Sequence, residues 1–404
     1  MDVVAPAAVL ELCAALRADG HEALLVGGCV RDALLGRPVR DWDIATSASV
    51  AGVLARFPRA VPIGASARHG TALIPTAAGP VDVTHFRGPD LAADLARRDF
   101  CVNAMAWDPS LARLIDPHGG QRDLAARRLR AVGSAAERFS EDPVRALRAA
   151  RFLAELGLVP DSEIEEAIAG AAPLLHGVAP ERLRSELART LVGPHAQRAF
   201  ELLRRTGIEA LLAPGVRDDA ARVIAALPPA LGLRLAGWLR SAARGRVLAR
   251  LRFGRIVSKR IDRLLALHPL DRGWDGSPAA ARKIRQRAGD ETTVTDLLAL
   301  REAEAAAGSD REAMARIAAL RAALADASSP FGPGDLALSG DEVMAELRCG
   351  PGPRVGAALR HLVARAVADP SANTPERLRA LLAEWQRGAS KGVRGGAGSG
   401  ANGL

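Results

Sequence analysis

The sequence predicts an α+β chain: a mixed head of short strands and helices, followed by helices almost to the end. Two observations point there. Over the first 130 residues, short apolar runs of strand length alternate with stretches of helical spacing. From about Ser140 onward apolar residues recur with a helical period, interrupted only by glycine and proline. The 404 residues, 49% of them apolar, suffice for several cores and exclude a generally disordered chain.

Taken in order, Val9–Arg17 carries helical spacing and leads into the run Ala23–Val26, which stops at Gly27 and Gly28. Val30–Leu35 is a second helical stretch, ended by Gly36, and Ala72–Pro75 and Val81–Phe86 alternate like strands. The later helices break at Gly157–Pro160, Pro173, Gly193–Pro194, Pro214–Gly215, Pro228–Pro229, Pro269, Gly276–Pro278 and Pro330–Pro333. The closing stretch 388–404 is rich in Gly, Ala and Ser and is expected to be disordered.

Composition excludes several classes. No apolar stretch approaches the roughly 18 residues of a membrane helix, so no membrane partner is expected. The start of the chain lacks a basic segment, so no signal peptide is expected. Cys13, Cys29, Cys101 and Cys349 show no CxxC spacing, which argues against a zinc site or disulfide framework and fits a cytoplasmic location. Aromatic residues are 3% with no Tyr, which disfavours RNA binding through rows of stacked rings.

The net charge of +9 is concentrated. Between Arg234 and Arg263 lie ten basic residues and one acid, Asp262, so this window alone supplies the whole excess. Such a stretch suits a polyanion, nucleic acid first, or an ordinary solvated helix face. If 255–265 is helical, Arg255, Lys259, Asp262 and Arg263 share one side and Val257, Ile261, Leu264 and Leu265 the other. Arg252 joins Arg255, Lys259 and Arg263 as the candidate RNA-binding set.

Chemistry-bearing residues cluster earlier. Gly27-Gly28-Cys29-Val30-Arg31 follows a strand-like run and opens a helix, where backbone N–H groups and Arg31 can meet a triphosphate; a tight turn explains the glycines equally well. Asp41 and Asp43, two apart, face the same way on a strand and suit Mg²⁺, which takes a few carboxylates plus substrate phosphates; Asp-x-Asp is also common in loops and caps. Asp82, in Val81-Asp82-Val83-Thr84, is a candidate third carboxylate or a solvent-facing strand residue. Arg98, Asp99 and Asn103 could serve phosphates and ribose, or simply start a helix. In Asp142-Pro143-Val144-Arg145-Ala146-Leu147-Arg148-Ala149-Ala150-Arg151, the Asp and three Arg form a polar half-face of a helix. Asp accepts from an exocyclic amine and Arg donates to the adjacent ring acceptor, an edge that cytosine and adenine share and that uracil and guanine reverse. The competing reading is capping, with Ser140 or Asp142 as N-cap and Pro143 in the first turn.

Together these motifs resemble the class II tRNA nucleotidyltransferase and bacterial poly(A) polymerase family. The matching segments are LVGGCVRDALLG, RDWDIATSAS, RRDFCVNAMAWD, IDPHGGQRDLAARRLRAVG, FSEDPVRALRAARFLAELGL and ERLRSELARTLVGPHAQRAFELLRRTGI, in family order over about residues 24–208. More weakly, 350–385 is similar to the closing segment of bacterial CCA-adding enzymes. The resemblance implies a polymerase-β-type nucleotidyltransferase head over 1–130, then an all-helical neck over 131–208, body over 209–300, tail over 301–387, and a disordered end over 388–404. It implies that Gly28, Arg31, Arg98, Asp142, Arg145, Arg148 and Arg151 bind the nucleotide and that Asp41 and Asp43 hold Mg²⁺. It also implies that the helices after the neck hold tRNA. The reaction implied is attack of an RNA 3′-hydroxyl on CTP or ATP without a nucleic-acid template, releasing pyrophosphate.

Two branches compete. VPIGASARHGTALI is similar to the CCA-adding branch, and the Gly-Arg-Arg-Phe-like segment of poly(A) polymerases is missing. Only Gly88–Ala93 separates Arg87 from Asp94, where enzymes that complete CCA usually carry a longer flexible loop. That resembles the CC-adding branch, unless the connection is a compact variant that still adds A. A catalytically silent RNA-binding paralogue would have lost its carboxylates; Asp41 and Asp43 are present.

Overall fold

The computed structural model describes residues 3–63, 70–325 and 330–394. They fall into two compact units, one of Met1–Val216 with Ser241–Phe253, the other of Arg217–Arg240 with Gly254–Leu404.

The first unit opens with helix α1 (Ala7–Ala18) and a seven-stranded sheet. The strands are β1 (Ala23–Val26), β2 (Trp42–Thr46), β3 (Val61–Ile63), β4 (Thr71–Thr76), β5 (Gly79–His85), β6 (Ala106–Asp108) and β7 (Arg113–Ile115), in the order β3-β4-β5-β2-β1-β6-β7. Every neighbouring pair is antiparallel except β2 and β5. The all-apolar β1 is buried along its whole length at the sheet's centre. Arg17 fastens α1 to the sheet by donating to the Ala23 carbonyl and the Asp108 carboxylate, both at 2.8 Å. The three-residue strands β3, β6 and β7 carry too few residues to show a period of two, and the sequence pattern does not mark them.

The helices of this unit continue with α2 (Gly28–Leu34), α3 (Val50–Arg56), α4 (Leu91–Ala96), α5 (Gly120–Ala125), α6 (Ala135–Glu141), α7 (Val144–Leu156), α8 (Ser162–Ala171), α9 (Pro180–Val192) and α10 (Ala196–Arg205). Helix α7 packs along α9 and α10 through a core that includes Leu147, Leu153, Leu183, Leu187 and Phe200. The capping expectation fails: α7 starts after Pro143 without a side-chain cap. Ser140 instead donates to the Ala136 carbonyl of its own helix, and the Asp142 carboxylate turns to Arg182. The segment 64–69, with His69 of the His-Gly-Thr motif, lies outside the described residues.

The second unit is helical. Trp238, Leu297 and Leu300 are fully buried in one part of it, and Leu338, Val343, Leu362 and Leu378 centre a further core near the C-terminus. The last helix, Pro375–Arg394, corrects the expectation of disorder from residue 388. Its anchored run from Leu378 to Trp385 carries the helix past Gly388 through Ala389-Ser390-Lys391; residues 395–404 lie outside the described residues. Among the described residues no helix is long and apolar enough to cross a membrane.

The basic window is shared between the two units. It changes unit at Ser241 and again at Gly254. Several of its arginines serve the fold: Arg234 is buried and donates to the Leu227 and Pro228 carbonyls, Arg240 pairs with Asp219, Arg250 donates to the Leu211 carbonyl, and Arg260 bonds Thr293 and Asp296. The helical expectation holds for Arg255–Leu267, with Ile261 and Leu264 buried and Arg255, Lys259 and Arg263 exposed.

Candidate active site

A cavity of about 720 Å³ lies within the first unit, and it gathers most of the residues singled out in the sequence. Gly27, Gly28, Arg31, Asp41, Asp43, Arg98, Asp99, Asn103, Asp142, Arg145, Arg148 and Arg151 all line it. Asp82 does not, nor do Arg252, Arg255, Lys259 and Arg263. The sequence pattern missed Asp32, Arg37, Arg40, Arg87, Glu155, Arg182 and Arg189 on the same wall. Ten arginines face six carboxylates among the lining residues, so the cavity carries an excess of positive charge suited to a polyphosphate.

The carboxylate end rests on the one parallel strand pair. Asp43 of β2 stands in register with Asp82 of β5, which puts both side chains on the same face, and Asp41 lies two residues before Asp43. Burial, then repulsion from Asp82, pushes Asp43 up to about 6 against the pull of Arg98 and Arg31. Burial and Asp41 also raise Asp82. No hydrogen bond or ion pair to the carboxylates of Asp41, Asp43 or Asp82 occurs among the described residues. Asp43 and Asp82 are half-buried and Asp41 is exposed; carboxylates that repel one another and lack a protein donor are a fit donor type for a hard divalent cation. Among the described residues no group of three or more His, Cys, Asp or Glu side chains is placed to hold a metal ion by itself.

The glycine end of the cavity is built around Gly27. Its φ of 77° suits glycine, and a Cβ there would sit 2.6 Å from Arg98 Nη1. Only a bare backbone lets that guanidinium lie against the start of α2, whose first N–H groups have no acceptor within the helix. Arg98 is held by the buried Asp94 through Nε at 3.2 Å and Nη2 at 3.0 Å. Arg31, 8% exposed, donates to Asp32 at 2.9 Å and to Asn103 Oδ1 at 2.6 Å. Desolvation lowers the Arg31 pKa despite Asp32, so a further anion at this cation is favoured.

Asp99 and Asn103 line the cavity, but their side chains join two arginines. Asn103 accepts from Arg31 and donates to Asp99 Oδ1 at 2.9 Å, while Asp99 Oδ2 accepts from Arg148 Nε at 2.8 Å. Burial works against the Asp99 carboxylate, yet Arg148, Asn103 and the Phe100 amide hold it down at about 2. Arg151, 3% exposed, pairs with Glu186 at 2.5 Å and Glu155 at 2.8 Å.

At the end formed by the start of α7, Asp142 Oδ2 accepts from Arg182 Nη2 of α9 at 2.7 Å. Arg145 Nη1 donates to the Arg138 carbonyl at 2.8 Å and to Glu141 at 3.1 Å. Each member of this Asp–Arg pair therefore has one anchored atom and others left for a ligand. Outside the cavity, Arg252 pairs with Glu181 at 2.5 Å within the first unit. In the second unit Arg263 donates to the Ala288 carbonyl, whereas Arg255 and Lys259 have no ion-pair partner among the described residues.

Comparison with known proteins places this cavity in context. The family described as "Poly A polymerase head domain" matches residues 23–130, and "Probable RNA and SrmB- binding site of polymerase A" matches residues 157–219. The CCA-adding enzyme of Geobacillus stearothermophilus is 42% identical over 217 residues, 50% of this chain and 53% of that protein. The CC-adding tRNA nucleotidyltransferase of Shouchella clausii is 44% identical over 192 residues, 48% of this chain and 50% of that protein. The chain thus spans about half the length of the curated relatives it matches. Its structure is similar to that of the Bacillus stearothermophilus CCA-adding enzyme in complex with CTP, with a TM-score of 0.72, 32% identity, and coverage of 95% of this chain and 98% of that one. The Thermotoga maritima CCA-adding enzyme complexed with tRNA shares the fold at 21% identity, TM-score 0.71, over 95% and 99% of the two chains.

The raised Asp43 value has a consequence for stability. Folded, the group titrates at about 6; unfolded, at its ordinary 3.8. Between those values the folded state holds a proton that the unfolded chain has released, so stability falls as pH rises through this window. Asp43→Asn removes the penalty. We expect thermal denaturation at about pH 8 to show a gain of about 1–2 kcal/mol, discounted for partial exposure, which vanishes at about pH 4. Equal stability of the two proteins at both pH values would refute it.

Proposed function

The chain belongs to the class II tRNA nucleotidyltransferase and poly(A) polymerase family, and we propose that it adds CMP residues to the 3′ end of tRNA from CTP, without a template and with release of pyrophosphate. The observation that carries this reading is that one cavity holds the Asp41–Asp43 pair and, in the same space, Asp142 beside Arg145. The first suits phosphoryl transfer and the second suits a base edge with an amine next to an acceptor. The catalytically silent alternative lacks support, since the carboxylates are present and unspent.

In this reading Asp41 and Asp43 hold Mg²⁺, and Asp82 raises the affinity of Asp43 for a positive partner by repelling its charge. The bound ion supplies activation of the attacking hydroxyl and neutralisation of the pyrophosphate. The protein's own groups do the rest. Arg31 and Arg98, with the amides after Gly27, take the phosphates, and Asp99 and Asn103 fix Arg31 and Arg148 in place. Asp142 accepts from the exocyclic amine while Arg145 donates to the ring acceptor. ATP presents the same edge, so this pair admits it as well.

CC addition, rather than full CCA, is supported by the connection from Arg87 to Asp94. Asp94 accepts from the Arg87 amide at 3.1 Å and from Arg98, Asp90 caps α4, and a Cβ on Gly88 would meet Ala93 Cβ at 2.6 Å. Six residues packed and laced in this way leave no slack for reshaping the pocket around a purine. In a cytoplasmic setting a second enzyme would then supply the terminal A. Outside the catalytic cavity, Arg255 and Lys259 are proposed to meet tRNA phosphates, and Arg252 exchanges its exposed Glu181 partner for one; Arg263 stays with Ala288.

Three measurements test this reading. A tRNA transcript lacking CCA, incubated with CTP and ATP, should gain two C residues by mass; a full CCA end made as fast as C addition would overturn the CC assignment. Asp41→Ala and Asp43→Ala should abolish incorporation with tRNA affinity nearly unchanged, and millimolar Mg²⁺ should raise the Tm of the parent protein but not of Asp43→Asn. Near-normal turnover in either alanine variant would sink the metal reading. Removing Arg255 and Lys259 together should flatten the salt dependence of tRNA binding by about two in log–log slope, with no further loss from Arg263→Ala. An unchanged slope would place both side chains away from RNA.

A further inference from the structure

We propose that Arg182 is the positioning residue that aims the Asp142 carboxylate, and that it sets how strictly the enzyme rejects uracil and guanine. The inference rests on the reading of Asp142 and Arg145 as the base-edge pair.

Asp142 sits between two helices, at φ −147° and ψ 93°, after the last residue of α6 and before Pro143. Its backbone belongs to neither helix, and its side chain caps neither. Arg182 Nη2, at 2.7 Å from Oδ2, is the one side-chain partner of this carboxylate among the described residues. The contact spans forty positions of sequence and crosses from the start of α7 to the first turn of α9. Both residues line the cavity. A carboxylate has two oxygens, and a single donor on Oδ2 leaves Oδ1 to accept from a base amine.

As a stabilising contact this exposed pair counts for little, since the Arg182 side chain is 54% exposed. Its effect is on direction. The Arg148 guanidinium also attracts Asp142 and is tied elsewhere, to Asp99 and Glu186. Without Arg182 the carboxylate is drawn toward Arg148, away from the base edge, and the acceptor half of the reading pair loses its geometry. Arg145 is anchored independently at Glu141 and Arg138, so the donor half remains. The loss is therefore one of selectivity and nucleotide affinity, not of phosphoryl transfer.

The test compares kcat/KM for CTP and UTP on one tRNA transcript, using the full chain with Arg182→Ala, Arg182→Lys, Asp142→Ala and the Arg182→Ala/Asp142→Ala double variant. Arg182→Ala should lower the CTP:UTP ratio about tenfold, chiefly through a higher KM for CTP. Arg182→Lys should recover part of it, and the double variant should be no less selective than Asp142→Ala alone. Tm and tRNA affinity should stay at the parent values, because Arg182 is a surface residue of α9. If Asp142→Ala relaxes selectivity and Arg182→Ala does not, the positioning role is overturned and the base reading stands. If neither variant changes the ratio, the base reading falls and takes this inference with it. Equal losses of kcat for CTP and UTP in Arg182→Ala would leave Arg182 a merely structural role and overturn the proposal.

Discussion

Three guanidinium groups share the ring of Phe152, and the rest of the cavity depends on how their charges are held together. Arg31, Arg148 and Arg151 lie 5.1, 5.8 and 4.2 Å from its centroid. Phe152 itself is 1% exposed, with Phe100 set edge-on against it at 5.5 Å. Cations this close repel strongly in a poorly solvated interior. The negative face of the ring offsets part of that, and the acids do the remainder: Asp32 for Arg31, Asp99 and Glu186 for Arg148, Glu186 and Glu155 for Arg151. Because α2 supplies Arg31 and α7 the other two, this cluster also joins the sheet to the helices behind it. The charges are paired well enough to stay put, and the cavity as a whole remains positive enough to want a polyanion.

The carboxylate end follows the opposite rule. Arg31 and Arg98 attract Asp43 electrostatically, yet no donor completes it, and it lies beside two like charges. A fold selected for stability alone would place an apolar residue or a hydrogen-bonded one there. The unpaired group persists because the rest of β2 is well buried and the strand is paired on both sides, so the sheet tolerates a local electrostatic penalty. Such a penalty is what a cation-dependent site requires, since a carboxylate already satisfied by protein donors gains little from an ion.

How much of this was legible in sequence divides along physical lines. The Asp41–Asp43 pair was visible from its spacing of two, although only Asp43 lies on β2 and Asp41 just precedes it, and Arg145, Arg148 and Arg151 were visible because a helix's period is fixed. Arg182, by contrast, meets Asp142 across forty positions, and no local period carries that information. The capping expectation failed for the same reason: a carboxylate before a helix caps it unless something outside the helix offers more, and Arg182 does. Charge counting overstated the basic window, since the sequence does not tell an arginine aimed at solvent from one, like Arg234, buried against main-chain carbonyls. The sheet's outer strands escaped notice because three residues cannot display a period.

On the proposed reading, base selection has a built-in limit. An Asp–Arg pair reads the polarity of an edge, and cytosine and adenine present the same polarity. The pair can therefore reject uracil and guanine but cannot by itself choose between the two bases it accepts. That choice must come from the size of the space beside the base, and hence from whatever part of the wall can move. The groups on this wall are tied: Arg145 to Glu141, Arg148 to Asp99, Arg151 to Glu186, and Arg98 to Asp94. Asp94 in turn holds the amide of Arg87, so the short connection that follows this cavity-lining residue is tied through Asp94 to Arg98, which lines the same cavity. On the proposed reading, a wall laced in this way favours one pocket size. On the proposed reading, the point at which the product stops growing is then decided by the geometry of this connection, while the identity of each added base is decided at Asp142 and Arg145.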